Sequence, residues 1–212
     1  MIVSRKKPTE DLLKMLAGVK KVGLVGCKSC ASACAVGGEK ECNELKELLE
    51  SQGYEVVGIV LPDESCHKML VRRDVKPLAE AEAIVSLACG SGCQTVAENV
   101  KVPVYPANDT IFVGQTERVG IFHEKCRTCG DCVLGETGGI CPITQCAKSL
   151  VNGPCGGQKN GKCEVDPSND CAWVAIYNRM NEIGLLDKLT KTIEDKDTRL
   201  WPMSVNTREV KK

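Results

Sequence analysis

Eight cysteines crowd the stretch from residue 126 to residue 171, and they restrict how this chain can fold more than any hydrophobic pattern in it. The first three read Cys126-Arg-Thr-Cys129-Gly-Asp-Cys132, two CxxC steps sharing their middle cysteine. Cys141-Pro142, Cys146, Cys155, Cys163 and Cys171 follow. Such spacing lets three thiolates converge on one inorganic centre, with a fourth ligand brought from elsewhere in the chain. The expected chemistry is therefore inorganic, and electron transfer is the first function to weigh.

Two CxxC steps followed by Cys-Pro resemble the ligand loop of a bacterial-type ferredoxin. Eight thiolates suffice for two four-ligand sites, and Cys126, Cys129 and Cys132 are expected to share one. In two-cluster ferredoxins the Cys-Pro ligand serves the other cluster, so spacing alone does not assign Cys141. Gly130, Gly135, Gly138, Gly139, Gly153, Gly156, Gly157 and Gly161 surround these cysteines. They let backbone pass close to a cluster and donate N–H groups to its sulfurs. Zinc is the alternative at one site, because zinc tetrahedra built from four cysteines use the same CxxC step. The shared middle cysteine favours iron–sulfur.

Composition narrows the class. Fifteen cysteines are an odd number, which fits a disulfide framework poorly. The start of the chain has basic residues but no apolar signal core, so a cytoplasmic protein is expected, where disulfides are rare. No apolar run approaches the ~18 residues of a membrane span. A formal net charge of zero argues against nucleic acid, whose binders are usually basic. Aromatic residues are only 3%, so aliphatic side chains must build the core.

Residues 21–105 alternate between strand and helix patterns. Apolar runs at 21–26 (KVGLVG), 54–61 (YEVVGIVL), 83–88 (AIVSLA) and 102–105 read as buried parallel strands. Helices are expected at 9–19, at 39–52 before Gly53, and at 94–100. This rhythm predicts an α/β fold: a small, open, Rossmann- or flavodoxin-like parallel sheet of about four strands. Residues 106–165 are rich in Gly, Cys, Pro and Asn, with little periodicity, and need metal ligation for order. A helix is expected from 170 to 193, with Trp173, Ile176, Tyr177, Met180 and Ile183 or Gly184 on one face. The expected division is an α/β domain over 1–105, a loop-rich iron–sulfur domain with its C-terminal helix over 106–194, and a tail over 195–212. Leu200, Trp201 and Met203 give that polar tail an apolar strip, expected either to dock a partner or, through Trp201, to fold back on its own domain.

Cys27-Lys-Ser-Cys30-Ala-Ser-Ala-Cys34 directly follows the first apolar strand. Ligands of open α/β sheets sit beyond the carboxyl ends of strands, near the switch point. The second strand ends near Cys66 and the third at Cys89. If the second strand flanks the first on one side and the third on the other, all three loops open on one edge. Cys27, Cys30, Cys34 and either Cys66 or Cys89 then hold one cluster. Cys42 falls within a helix and reads as a small core residue, and Cys93 is unassigned. His67 and His123 lie near cysteines but read as structural. Gly23, Gly26, Gly37 and Gly38 invite a phosphate-loop reading, yet no Gly-Lys-Ser/Thr and no GxGxxG follows. No Ser/His/Asp set or paired-carboxylate motif stands out, so the chain does not read as a complete enzyme.

The stretch GDCVLGETGGICPITQCAKSLVNGPCGGQKNGKCEV, followed by CAWVAIYNRM, is similar to the C-terminal domain family of methylenetetrahydrofolate reductase. LACGSGCQTVAE and VPVYPANDT extend the likeness, and the chain resembles the family of small iron–sulfur subunits of bacterial methylenetetrahydrofolate reductase from about residue 21 to 184. The resemblance implies two or three [4Fe-4S] clusters and a place in one-carbon metabolism of the Wood–Ljungdahl type. It also implies a TIM-barrel catalytic partner carrying FMN and the folate site, with a larger complex as electron donor. The matching cysteines are Cys27, Cys30, Cys34, Cys66, Cys89, Cys126, Cys129, Cys132, Cys141, Cys146, Cys155, Cys163 and Cys171. Cys42 and Cys93 are additional to the family set. The expected role is a non-catalytic, electron-transferring subunit of an oxidoreductase complex. The competing roles are a zinc-stabilised docking subunit and a thiol oxidoreductase using Cys27 and Cys30.

Overall fold

The structure, a computed structural model, describes residues 1–195 and Val205. The chain divides into two compact units, Met1–Glu124 and Lys125–Lys212.

The first unit is built on a parallel sheet. β1 (Ile2–Lys6) and α1 (Thr9–Met15) lead into β2 (Lys21–Val25), a single helical turn α2 (Cys30–Ala33) and the longer α3 (Glu39–Ser51). Then come β3 (Glu55–Val60), α4 (Lys68–Asp74), β4 (Ala83–Ser86), α5 (Gly90–Ala97) and β5 (Val104–Pro106). The sheet order is β3-β2-β4-β5, with all strands parallel. This is the mixed α/β class that the alternating pattern predicts, with the predicted strand order. β2 and β4 are almost wholly buried because each has a neighbour on both edges and helices on both faces. Val22, Leu24, Leu49, Ala83 and Val85 form the core on one side, and Val25, Val71, Ile84 and Val96 on the other.

Residues 108–126, expected as loop, instead form two strands. β6 (Asn108–Arg118) and β7 (Ile121–Cys126) join β1 in a second sheet of order β1-β6-β7. β1 pairs antiparallel with β6, from Ile2 opposite Val113 to Lys6 opposite Asn108. That pairing draws residues 106–124 into the first unit, so the junction lies later than residue 105. Asn108 ties the two sheets together. Its buried amide donates to Leu87 O (2.5 Å) and to Val36 O (3.2 Å).

The second unit has little regular structure. α6 (Pro142–Gln145) is one turn, and α7 (Ala172–Glu182) is the main helix. α7 stops well before residue 193 because Gly184 takes φ +70°, after which Leu186–Thr190 forms a 3-10 turn. Trp173, Ile176 and Met180 are its buried stripe, whereas Tyr177 is 54% exposed and Ile183 38% exposed, so neither joins that face. The Leu200, Trp201 and Met203 strip lies outside the described residues. Among the described residues, no helix is long and apolar enough to cross a membrane.

Gly26 and Gly37 show what the glycines after β2 are for. A Cβ on Gly26 would stand 2.6 Å from Cys42 Sγ and 2.7 Å from Gly37 O, and one on Gly37 would collide with Leu87 O. Their missing side chains let the loop after β2 press against the end of β4. Gly37→Ala is therefore expected to destabilise the first unit by about 1–3 kcal/mol, as overpacking does. Urea unfolding measures this, and an unchanged midpoint would show that the loop relaxes freely.

Candidate metal centre

The sheet order places the ends of β2, β3 and β4 side by side, and the loops that follow carry Cys27, Cys30, Cys34, Cys66 and Cys89. Cys27 N–H bonds to Gly37 O (2.8 Å), closing the loop that holds the first three. Cys34 N–H bonds to Cys30 O (3.0 Å) across the single turn of α2. The loop after β3 is fastened to the same edge. Lys28 N–H donates to Pro62 O (3.1 Å), and the buried Ser65 hydroxyl donates to Gly26 O (2.6 Å). Cys89 precedes α5 and lies within electrostatic reach of both Cys34 and Cys66, while Cys66 also senses Cys27. Cys27, Cys34 and Cys89 are buried, Cys30 is half-buried and Cys66 is exposed.

The N-terminal strand covers this group, which no local sequence pattern reveals. Ile2 N–H points at Cys30 Sγ (3.4 Å), and Cys34 Sγ approaches Ile2 O (3.7 Å). Val3, Ala31, Val36 and Ala88 pack with Cys27 and Cys34, with Met1, Phe112 and Phe122 against them. Burial pushes the thiols of Cys34 and Cys66 up. A metal there must displace protons from reluctant thiols while gaining a dry, apolar surround.

Eight further cysteines belong to the second unit. Thr128 (φ +52°) and Gly130 (φ +81°) both take left-handed backbone, which curls the chain around Cys129. Thr128 N–H thereby reaches Cys126 Sγ at 3.2 Å. Cys129 Sγ lies 3.7 Å from Asp131 O. Cys141 precedes α6, with Pro142 as its first helical residue. Cys146, Cys155, Cys163 and Cys171 line one small cavity beside Trp173.

No disulfide joins the described cysteines. Among the described residues, no three His, Cys, Asp or Glu side chains stand close enough to grip one metal ion. Two thiolates on one zinc lie within about 4.6 Å, twice the Zn–S length. The loops thus gather the thiols by region, at wider spacing than single-ion ligation needs. The donors fit a thiolate-ligated centre in kind and number, and the N–H groups of Ile2 and Thr128 point at sulfur as such a centre requires.

Other candidates have ordinary roles. His123 Nε2 pairs with Glu117 Oε2 at 2.6 Å, and His67 is an exposed residue preceding α4. Cys93 N–H bonds to Cys89 O (2.9 Å) within α5, and burial raises the Cys93 thiol. Cys42 is fully buried, and burial, with the Glu41 and Glu39 carboxylates adding to it, pushes its thiol up to about 12.

The family model described as methylene-tetrahydrofolate reductase C terminal matches residues 105–199, somewhat under half of the chain. It covers the long cysteine- and glycine-rich motif that carries the resemblance in the sequence. No curated protein and no solved structure gave a significant match.

Cys42 should resist iodoacetamide at pH 8 in the native protein and react once unfolded. Its folded value lies above the ordinary 9.0, so its stabilising contribution is complete below pH 9.0 and lost as pH rises toward 12. Fast native labelling would mean that this core opens. Cys129→Ser should release metal and leave residues 127–165 sensitive to protease, because so little apolar surface holds that stretch. Unaltered metal content and an unaltered digestion pattern would contradict this.

Proposed function

We propose that this chain, whose residues 105–199 match the methylene-tetrahydrofolate reductase C-terminal family, is the iron–sulfur electron-transfer subunit of a methylenetetrahydrofolate reductase complex. In that role it relays electrons between an external donor and the FMN of a catalytic partner subunit. The observation that carries the reading is the gathering of Cys27, Cys30, Cys34, Cys66 and Cys89 on one sheet edge, in a chain that also bears the cysteine-rich family domain. Separate groups of thiols along one chain suit a relay between a donor and an acceptor.

Iron–sulfur clusters supply one-electron exchange without proton or group transfer. The chain's own residues hold and tune them. Cys27, Cys30 and Cys34, with Cys89 or Cys66, hold the first, and the thiols of the second unit hold the others. Ile2 N–H at Cys30 and Thr128 N–H at Cys126 place positive dipole ends on sulfur, which stabilises added negative charge and raises potential. Val3, Phe112 and Phe122 keep water from the buried side of the first site. The exposed Cys66 marks the side open to a partner.

The test is metal analysis of anaerobically purified protein, alone and with its flavoprotein partner. About eight or more irons per chain with matching sulfide are expected, on the four-iron, four-cysteine stoichiometry. The complex should then pass electrons between methylenetetrahydrofolate and an artificial dye. A colourless protein with stoichiometric zinc would defeat the relay and favour a docking role. So would a flavoprotein subunit that takes electrons from its natural donor at full rate without this chain.

A further inference from the structure

We infer that Cys146, Cys155, Cys163 and Cys171 form one self-contained four-thiolate metal centre, and that Cys141 belongs with Cys126, Cys129 and Cys132. The inference rests on reading these cysteines as metal ligands and sorts them into sets that their spacing leaves open.

The cavity is the first observation. Those four cysteines line a pocket of about 20 Å³, with Ala172 and Trp173 at its wall. Such a volume is near one water-sized sphere. Four of its lining residues carry thiols, beside Lys148, Glu164, Gln145 and Gln158, and because no three donors among the described residues stand within reach of one ion, these thiols draw inward when metal binds. Cys141 is not among its lining residues, although only five positions separate it from Cys146.

The backbone explains the grouping. Cys141 and Cys146 stand at opposite ends of the single turn α6, where Gln145 N–H bonds to Cys141 O (2.9 Å) and Cys146 N–H to Pro142 O (3.0 Å). Both cysteines are extended caps of this four-residue turn, one entering it and one leaving it, and only Cys146 lines the cavity. Cys163 and Cys171 are brought together by an irregular hairpin. Lys162 bridges both Lys159 and Asp170, Cys163 N–H bonds to Asn169 O (3.0 Å), and Cys171 N–H bonds to Gly161 O (2.7 Å). Asn160 (φ +52°) and Gly161 (φ +79°) make its turn. The loop bearing Cys155 is drawn toward α7 by Trp173, whose indole N–H donates to Leu150 O (3.0 Å). Lys148 pairs with Glu164 across the same cavity. Three chain segments thus close around four cysteines without help from Cys141.

The pairing differs from the exchanged arrangement of two-cluster ferredoxins, in which the Cys-Pro thiol crosses to the other centre. Here each centre draws its ligands from one continuous stretch, 126–141 or 146–171. Four thiolates accept either a four-iron cluster or a single zinc, and the metal found distinguishes them.

The experiment uses the full chain, purified anaerobically, with iron, sulfide and zinc measured per chain. Cys155→Ser, Cys163→Ser and the double variant should each lose the same complement, about four irons or one zinc, with no further loss in the double. Cys141→Ser should lose the complement that Cys129→Ser loses. Cys141→Ser combined with Cys155→Ser should lose both. If a variant fails to fold, the unsubstituted protein serves. Graded chelation followed by alkylation and mass analysis should expose Cys146, Cys155, Cys163 and Cys171 as a group, separately from Cys141. Shared, non-additive loss for Cys141→Ser and Cys155→Ser overturns the partition while leaving metal binding intact. Metal-free protein with all eight thiols reactive overturns the ligand reading beneath it. Zinc at the second set upholds the partition and confines electron transfer to the other centres.

Discussion

Scarcity of apolar burial in the second unit is the constraint on which the rest depends. Its described core consists of Val133, Pro142, Ala172, Trp173, Ile176 and Met180, most of them on one face of α7. Residues 125–171 contribute two of these. A stretch so poor in buried side chains cannot offset the conformational entropy of ordering it, which is about 1–2 kcal/mol per residue for the backbone alone. Small folds with this deficit are held by disulfides or metals. No disulfide joins the described cysteines. The proposed thiolate ligation would supply that cross-linking.

The first unit obeys different physics. Its sheet, with Val22, Leu24, Val25, Ile84 and Val85 at 0% exposure, forms a core that needs no metal. The cysteines there are passengers on a finished scaffold. Gly26 and Gly37 let the loop after β2 approach β4, and Ser65 fixes the loop after β3 against Gly26. A site assembled this way is positioned before any ligand arrives, as binding sites on rigid elements are.

What the sequence discloses follows the same division. The parallel strands are legible because burial on both faces forces short, continuous apolar runs, and their order follows from requiring the cysteine loops to meet. β1, β6 and β7 are not legible. β6 is half-exposed, with Thr110, Gln115, Thr116 and Glu117 interrupting its alternation, and its partner β1 lies about a hundred residues away. Pairing across that separation leaves no local mark. Hidden with it is the cover that Ile2, Phe112 and Phe122 place over the first cysteines. α4 is equally obscure, since its Lys68, Arg72 and Arg73 disguise a short helix with Val71 at its buried face. α7 reads too long in the sequence because Ile183 and Leu185 continue the apolar pattern past Gly184, where the backbone turns. The cysteines and their spacing are plain in the sequence, whereas which of them share a cavity becomes visible only with the α6 turn and the hairpin around Lys162.

These two ways of holding thiols imply different responses to metal loss. On the sheet edge, stripping a bound metal would leave protonated, partly buried thiols on an intact fold, and rebinding would meet a prepared site. Burial favours the neutral thiol at Cys34 and Cys66, so protons compete with any metal for these sulfurs. In the second unit the proposed ligands would themselves join the segments. Removing metal there would free the loop between Cys126 and Cys141 and the hairpin between Cys155 and Cys171 together with their connections. The left-handed residues Thr128, Ser149 and Asn160 then lose the cross-links that hold them in a conformation costly for residues with a side chain. On the proposed reading, metal binding and folding would be one equilibrium in the second unit and two nearly separate ones in the first.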